Sequence, residues 1–322
     1  MKKKKIESIV FFGPHCSFSL VEDVSRKLNL DSANIEFETF SDGEKWVMPK
    51  VNIRERRVII VQPTPQPEDS WAWLSIMTDA VRRASAEKII VISPYFGYAR
   101  QDRKDKPRVA ITARTKANHI EADGVDRIII MDPHFSQIQG FFNIPCDLLY
   151  GSKVFQTNID FSYIDTVIAG DGGAVKIAVS YINHYSQKNT NFGLIIKRRE
   201  EHNKVKKTIL ALENEDIENH NVLIVDEMID TAGTLVKGLE EINNRKPNKI
   251  EVAITHAILS GDAIKRINDS PLETMYVLDT VQIPAEKLLQ TNKIKIIHSG
   301  YLFAKTIELL DNRGSLSSLV EN

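Results

Sequence analysis

Residues 222–234 read V-L-I-V-D-E-M-I-D-T-A-G-T, and the order of residue types in them decides the fold. An apolar run leads into two acids and a loop of small residues. A segment follows in which Leu235, Leu239 and Ile242 recur at helical spacing. This order puts the amides of Asp230, Thr231, Ala232, Gly233 and Thr234 at a helix N-terminus. Unpaired N–H groups and the positive end of the dipole attract an anion there. Thr231 and Thr234 add hydroxyl donors, and Gly233 presents no side chain to an approaching group. Asp226 and Glu227 cannot bind phosphate themselves; sugar hydroxyls or the water shell of a metal are their natural partners. A sugar phosphate satisfies both ends of the motif. The plainer reading of the same pattern is a Thr-capped helix after an acidic pair.

The same rhythm runs outward in both directions. Strand-like runs are predicted at 6–12, 35–40, 57–62, 88–93 and 127–132, and again at 166–169, 192–197, 222–225, 250–258, 274–278 and 293–297. Between them, Leu74, Met77, Val81 and Ala84 share one helical face, as do Ala113, Ala117 and Ile120; further helices are predicted at 174–185 and 234–243. Alternating strands and helices argue for an α/β fold of two similar domains, each a mainly parallel sheet flanked by helices. The domains are expected at 1–150 and 151–322, divided near Tyr150 and Gly151. Residues 197–217 are charged, show little period at their start and are expected to form a long mobile loop.

Composition narrows the functional classes. The chain has 322 residues, 42% hydrophobic and 26% charged, which suits two globular domains. A formal net charge of −1 supplies no broad positive field, so neither a nucleic acid nor a membrane surface is an expected partner. Cys16 and Cys146 show no zinc-ligand spacing. No apolar stretch approaches the roughly 18 to 20 residues of a spanning helix. The basic start at 1–5 is not followed by a continuous apolar run, and a cytoplasmic location is expected.

Four more segments bear on chemistry. P-Y-F-G-Y-A-R-Q-D-R-K at 94–104 gathers Arg100, Arg103 and Lys104 beyond a strand end, with Gln101 able to read a base or ribose edge. That suits a nucleoside triphosphate, and a solvated basic loop is the alternative. F-S-D-G-E at 40–44 sets an aromatic ring, Phe40, beside the acceptors Asp42 and Glu44, a combination fit for adenine. A-G-D-G-G-A at 169–174 is a glycine-rich turn whose amides could cradle a diphosphate while Asp171 approaches a magnesium ion through water. M-D-P-H at 131–134 ends another strand with His134.

Together with K-R-R at 197–199, these segments resemble the ribose-phosphate diphosphokinase family over nearly the whole chain. The resemblance implies a type I phosphoribosyltransferase-like fold in each domain, the first on the ATP side and the second on the ribose 5-phosphate side. It implies transfer of the β,γ-diphosphoryl group of ATP to the 1-hydroxyl of ribose 5-phosphate with Mg2+. Phe40, Asp42, Glu44, Arg100, Gln101, Lys104 and His134 would then bind ATP, and Asp226, Glu227 and 230–234 would bind ribose 5-phosphate. His134 and Asp171 would serve the metal, with Lys197 and Arg199 catalytic. A homo-oligomer, a hexamer by resemblance, is also implied. So is a regulatory site using Ser315 and Ser317 with Arg54 and Ser136. The chain departs from the family pattern at Glu227, usually Asp, at Pro133, usually Leu, and at Gly170 and Ala174 around the glycine-rich turn. Two rivals remain: a phosphoribosyltransferase, which leaves the 94–104 segment unused, and a non-catalytic homologue, which has no need of His134, Asp171, Lys197 and Arg199.

Overall fold

Strands built from unbroken β-branched runs belong between two layers of helix, because neither face of such a strand favours water. The computed structural model describes residues 6–185, 190–201 and 204–320, the side chains of 197–201, 204–207 and 320 excepted. These divide into two units. The first takes the described residues within Met1–Tyr150, Thr280–Gln282 and His298–Glu321; the second takes those within Gly151–Asp279 and Ile283–Ile297.

The first unit runs β1 (Ile9–Phe12), α1 (Phe18–Leu28), β2 (Ile35–Thr39), β3 (Lys45–Pro49), β4 (Arg57–Val61), α2 (Asp69–Arg83), β5 (Lys88–Ser93), α3 (Thr112–Ala122), β6 (Arg127–Met131) and β7 (Cys146–Leu149). Its sheet has the order β1-β4-β5-β6-β7, every pair parallel. Val58, Ile59, Ile60 and Val61 are wholly buried, α2 turns Leu74, Met77 and Val81 inward, and α3 does the same with Ala113, Ala117 and Ile120. The strand expected at 35–40 stays out of this sheet. It pairs antiparallel with β3 in a separate hairpin, and 40–44 is the turn between them.

The second unit runs α4 (Gly151–Asn158), β8 (Thr166–Ala169), α5 (Val175–Tyr185), β9 (Asn191–Glu201), β10 (Lys204–Leu212), β11 (Asn221–Ile229), α6 (Gly233–Asn243), β12 (Lys249–Ala257), α7 (Ala263–Asp269), β13 (Thr274–Leu278), α8 (Ala285–Leu288) and β14 (Ile294–Ile297). Its sheet has the order β10-β9-β8-β11-β12-β13-β14, parallel except between β9 and β10. The long loop expected at 197–217 is instead largely occupied by that antiparallel pair. Thr208 and Leu210 are buried while Ile209 between them is exposed, an alternation that the surrounding charges mask in the sequence.

The expected assignment of everything after Gly151 to one domain also changes. Two further helices, α9 (Gly300–Asp311) and α10 (Ser317–Val320), belong to the first unit. There α9 packs against α1 and buries Leu302, Phe303, Ile307 and Leu310. Asp311 at its end accepts the amides of Glu7 at 3.2 Å and Ser8 at 2.7 Å, and the Arg57 guanidinium donates to the Leu310 carbonyl at 2.6 Å.

Candidate active site

The register of β8 against β11 builds the acidic half of the site. Ala169 lies opposite Val225, and the Gly170 amide donates to the Val225 carbonyl at 2.9 Å, so Asp171, just past the end of β8, comes beside Asp226, which lies within β11. One ligand oxygen each from Asp171, Asp226 and Glu227 lies within 4.8 Å of the others. Asp171 is braced by the Gly173 amide, which donates to its Oδ1 at 2.8 Å, and the Glu227 amide donates to Asp226 Oδ1 at 2.9 Å. At Gly170 an added Cβ would lie 2.3 Å from Asp226 Oδ2, so the glycine is in close contact with that carboxylate. Carboxylates held this close repel one another unless a cation or a proton separates them, and three oxygen donors suit a hard divalent cation.

The acids belong to β11 itself, which continues to Ile229, so the loop is only Asp230 to Ala232 before α6 begins at Gly233. Ala232 turns the chain with φ of 60°, a left-handed conformation unusual for a residue with a side chain. Behind the loop, Arg266 on α7 donates to the Thr231 carbonyl at 2.7 Å and the Ser260 amide donates to the Asp230 carbonyl at 3.0 Å. Packing does not demand the glycine at 233. The atoms nearest to an added Cβ are Arg266 Nη1 at 3.6 Å and Thr231 Oγ1 at 3.9 Å, ordinary contact distances. Arg266 braces this loop from a helix that starts some 30 residues further along; no local pattern in the sequence marks it.

In the first unit, β5 delivers the segment 94–104. Tyr95, Phe96 and Ala99 are buried, with Phe96 edge-on to Trp71 at 5.3 Å and to Phe142 at 6.1 Å, whereas Arg100, Gln101 and Lys104 are exposed. Aromatic burial thus anchors the strap and leaves its charged side outside. Phe40, Asp42 and Glu44 occupy the hairpin turn, all exposed, with the Asp42 carboxylate accepting the Glu44 amide at 3.0 Å. His134 is half-buried just after β6, beyond a corner at Asp132 with φ of 34°.

Asp171 and the 226–234 residues therefore share one region of the second unit, while the residues predicted for ATP occupy three elements of the first. Of the residues expected at the metal, His134 belongs to the first unit and Asp171 to the second, and among the described residues an oxygen cluster joins Asp171 to Asp226 and Glu227. The side chains of Lys197 and Arg199 lie outside the described residues; their backbone belongs to β9, opposite Thr208 and Val205. An open apolar groove lined by Val179, Ile182, Phe192, Leu194 and Leu212 involves none of the predicted residues. Burial pushes the thiols of Cys16 and Cys146 up to about 12, which leaves them protonated and poor nucleophiles.

The family described as the N-terminal domain of ribose phosphate pyrophosphokinase matches residues 9–124, and the phosphoribosyl synthetase-associated domain matches residues 194–321. Ribose-phosphate pyrophosphokinase A of Dictyostelium discoideum is 40% identical over 305 residues, 93% of this chain and 94% of that protein. The ribose-phosphate pyrophosphokinase of Campylobacter jejuni is 38% identical over 312 residues, 96% and 97% of the two chains. Among solved structures, phosphoribosylpyrophosphate synthetase from Mycobacterium smegmatis matches with a TM-score of 0.84 at 27% identity, covering 96% of this chain and 100% of that one. Likeness at this level along nearly the full length, joined to the glycine-rich turns and acidic strand ends described above, places the chain in the ribose-phosphate pyrophosphokinase family.

Proposed function

We propose that the protein transfers the β,γ-diphosphoryl group of ATP to the 1-hydroxyl of ribose 5-phosphate, releasing AMP and 5-phosphoribosyl 1-diphosphate for nucleotide biosynthesis. The observation that supports this most directly is the pairing of the N-terminus of α6, which begins at Gly233, with the carboxylates of Asp171, Asp226 and Glu227. The first binds a phosphate and the second suits ribose hydroxyls and a cation.

In this reading the amides of 230–234 and the hydroxyls of Thr231 and Thr234 hold the 5-phosphate, and Asp226 and Glu227 accept from the ribose hydroxyls. Asp171, Asp226 and Glu227 fit Mg2+, which when bound would neutralise charge on the phosphates. Arg100, Gln101 and Lys104 hold the ATP phosphates and sugar; Phe40 stacks on adenine while Asp42 and Glu44 accept from its amine; His134 serves the ATP phosphates and their metal. Lys197 and Arg199 stabilise charge on the phosphoryl group as it moves, a role worth about a hundredfold to a thousandfold in rate for one such donor. The anomeric hydroxyl attacks the β-phosphorus in line and AMP departs, with no covalent enzyme intermediate. The protein acts in the cytoplasm as a homo-oligomer. No helix among the described residues is long and apolar enough to cross a membrane.

Incubation with ATP, magnesium and ribose 5-phosphate, followed by phosphorus NMR, tests the reading. AMP and a phosphoribosyl diphosphate should appear in equal amounts. Formation of ADP instead, or consumption of phosphoribosyl diphosphate with a nucleobase and no activity with ATP, would overturn it.

A further inference from the structure

Lys116 lies on the inner face of α3, where an amphipathic helix ordinarily places an apolar residue, and is only 8% exposed. A buried ammonium is costly unless compensated. Here its Nζ stands 4.7 Å from the centre of the Trp71 ring and 5.1 Å from that of Tyr98, both within cation–π range, and it pairs with one oxygen of Glu68. The other oxygen of Glu68 accepts the Tyr98 hydroxyl at 2.6 Å. Glu68 is the N-cap residue of α2 and Trp71 lies in its first turn, so this clasp joins two helices to Tyr98.

Tyr98 is the corner of the 94–104 strap. Its φ is 65°, a conformation that a bulky residue keeps only when its surroundings hold it. Its carbonyl accepts the Gln101 amide at 2.9 Å, closing the turn that bears Ala99 and Arg100. The Gln101 carbonyl accepts the Ala113 amide at 3.2 Å, and its side-chain oxygen accepts the Thr112 hydroxyl at 2.5 Å. The direction of Arg100 and Gln101 is therefore set by Tyr98 on one side and by the start of α3 on the other.

We infer that Lys116 is a positioning residue for the nucleotide: by clamping Tyr98 it orients Arg100 and Gln101 toward ATP. The inference rests on the assignment of those two residues to ATP made above. Lys116 is enclosed, so it acts through the tyrosine and not by touching the nucleotide.

The test uses the full chain, with KM for ATP, KM for ribose 5-phosphate and kcat read from AMP release. Lys116→Met keeps the length of the side chain, and the Glu68 carboxylate, with a side chain 54% exposed, stays solvated. Thermal melting checks that this variant is folded. KM for ATP should rise on the order of tenfold, with kcat and KM for ribose 5-phosphate changed by less than about twofold. Lys116→Arg, whose guanidinium also stacks on aromatic faces, should recover most of the loss. Tyr98→Phe removes only the hydroxyl and should also raise KM for ATP; combined with Lys116→Met it should give less than the product of the two effects. If the Met variant does not fold, Tyr98→Phe and Lys116→Arg carry the test. Unchanged KM for ATP in the folded variants, or an equal rise in both KM values, overturns the inference. Arg100→Ala separates the two levels. Should it leave KM for ATP unchanged, the assignment of the strap to ATP fails and the inference with it; should it raise KM while Lys116→Met and Tyr98→Phe do not, only the role of Lys116 fails.

Discussion

The two units hold their predicted site residues differently, the first with cations on a loop that follows a strand and the second with carboxylates on, or just after, the strands themselves. In the second unit the hydrogen-bonded register of β8 and β11 fixes where Asp171 and Asp226 stand, with Gly170 packed close against the Asp226 carboxylate. In the first unit no ladder reaches Arg100, so buried aromatic rings and the Lys116 clasp do the holding. A charge on a sheet inherits its position from the backbone; a charge on a loop depends on side chains that can be removed one at a time.

That contrast can be broken or sharpened at several points. Asp226→Asn should cost the most, about a hundredfold in kcat/KM, because it removes a carboxylate from a fixed cluster; AMP release measures it. Gly170→Ala should follow at about tenfold, since its Cβ displaces the Asp226 carboxylate without altering any acid. Gly172→Ala, whose Cβ meets nothing within 4 Å, should cost far less, and equal losses in the two would remove the steric account. Arg100→Ala should raise KM for ATP by about fivefold to tenfold. The Arg100 contribution should shrink as salt is added, because the side chain is exposed; insensitivity to salt would mean the strap is buried by its ligand.

The smallest expected effect concerns pH. Burial works to raise the Glu68 carboxyl, but hydrogen bonds from Lys116 and Tyr98 and the charge of Lys116 outweigh it and hold the group below the ordinary carboxylate value. A carboxyl depressed on folding contributes stability above its unfolded pKa of about 4.3 and loses it as pH falls through the lower folded value. Melting of wild type and Glu68→Gln should therefore differ by a constant amount, no more than about 1 kcal/mol, from pH 8 to about 5, and converge in stronger acid. A difference that grew on acidification would contradict the clasp.

Much of this was legible in the sequence where the signal is local. The 222–234 segment showed its strand, loop and helix because each state has its own period, but the strand runs past the expected end at 225 and takes Asp226 and Glu227 into β11. Features that depend on distant pairing did not show. The meeting of Asp171 with Asp226 follows from a strand register, and Arg266 reaches the Thr231 carbonyl from α7. The β9 and β10 hairpin was hidden because charges obscure the alternation at 208–210. The burial of Lys116 depends on Trp71 and Tyr98, which lie 45 and 18 residues away in the chain, so no local pattern announces it.

The return of α9 to the first unit constrains how the protein is born. Leu302, Phe303, Ile307 and Leu310 are buried on a helix whose packing partner, α1, was synthesised roughly 270 residues earlier, and together the two close the core of their layer. During translation that core waits open for its last helix, with α1 lacking its partner until 300–311 have left the ribosome. A stop codon anywhere ahead of α9 would thus damage the amino-terminal unit as well as the carboxyl-terminal one, and the nascent first unit should be a client for chaperones while the second is being made.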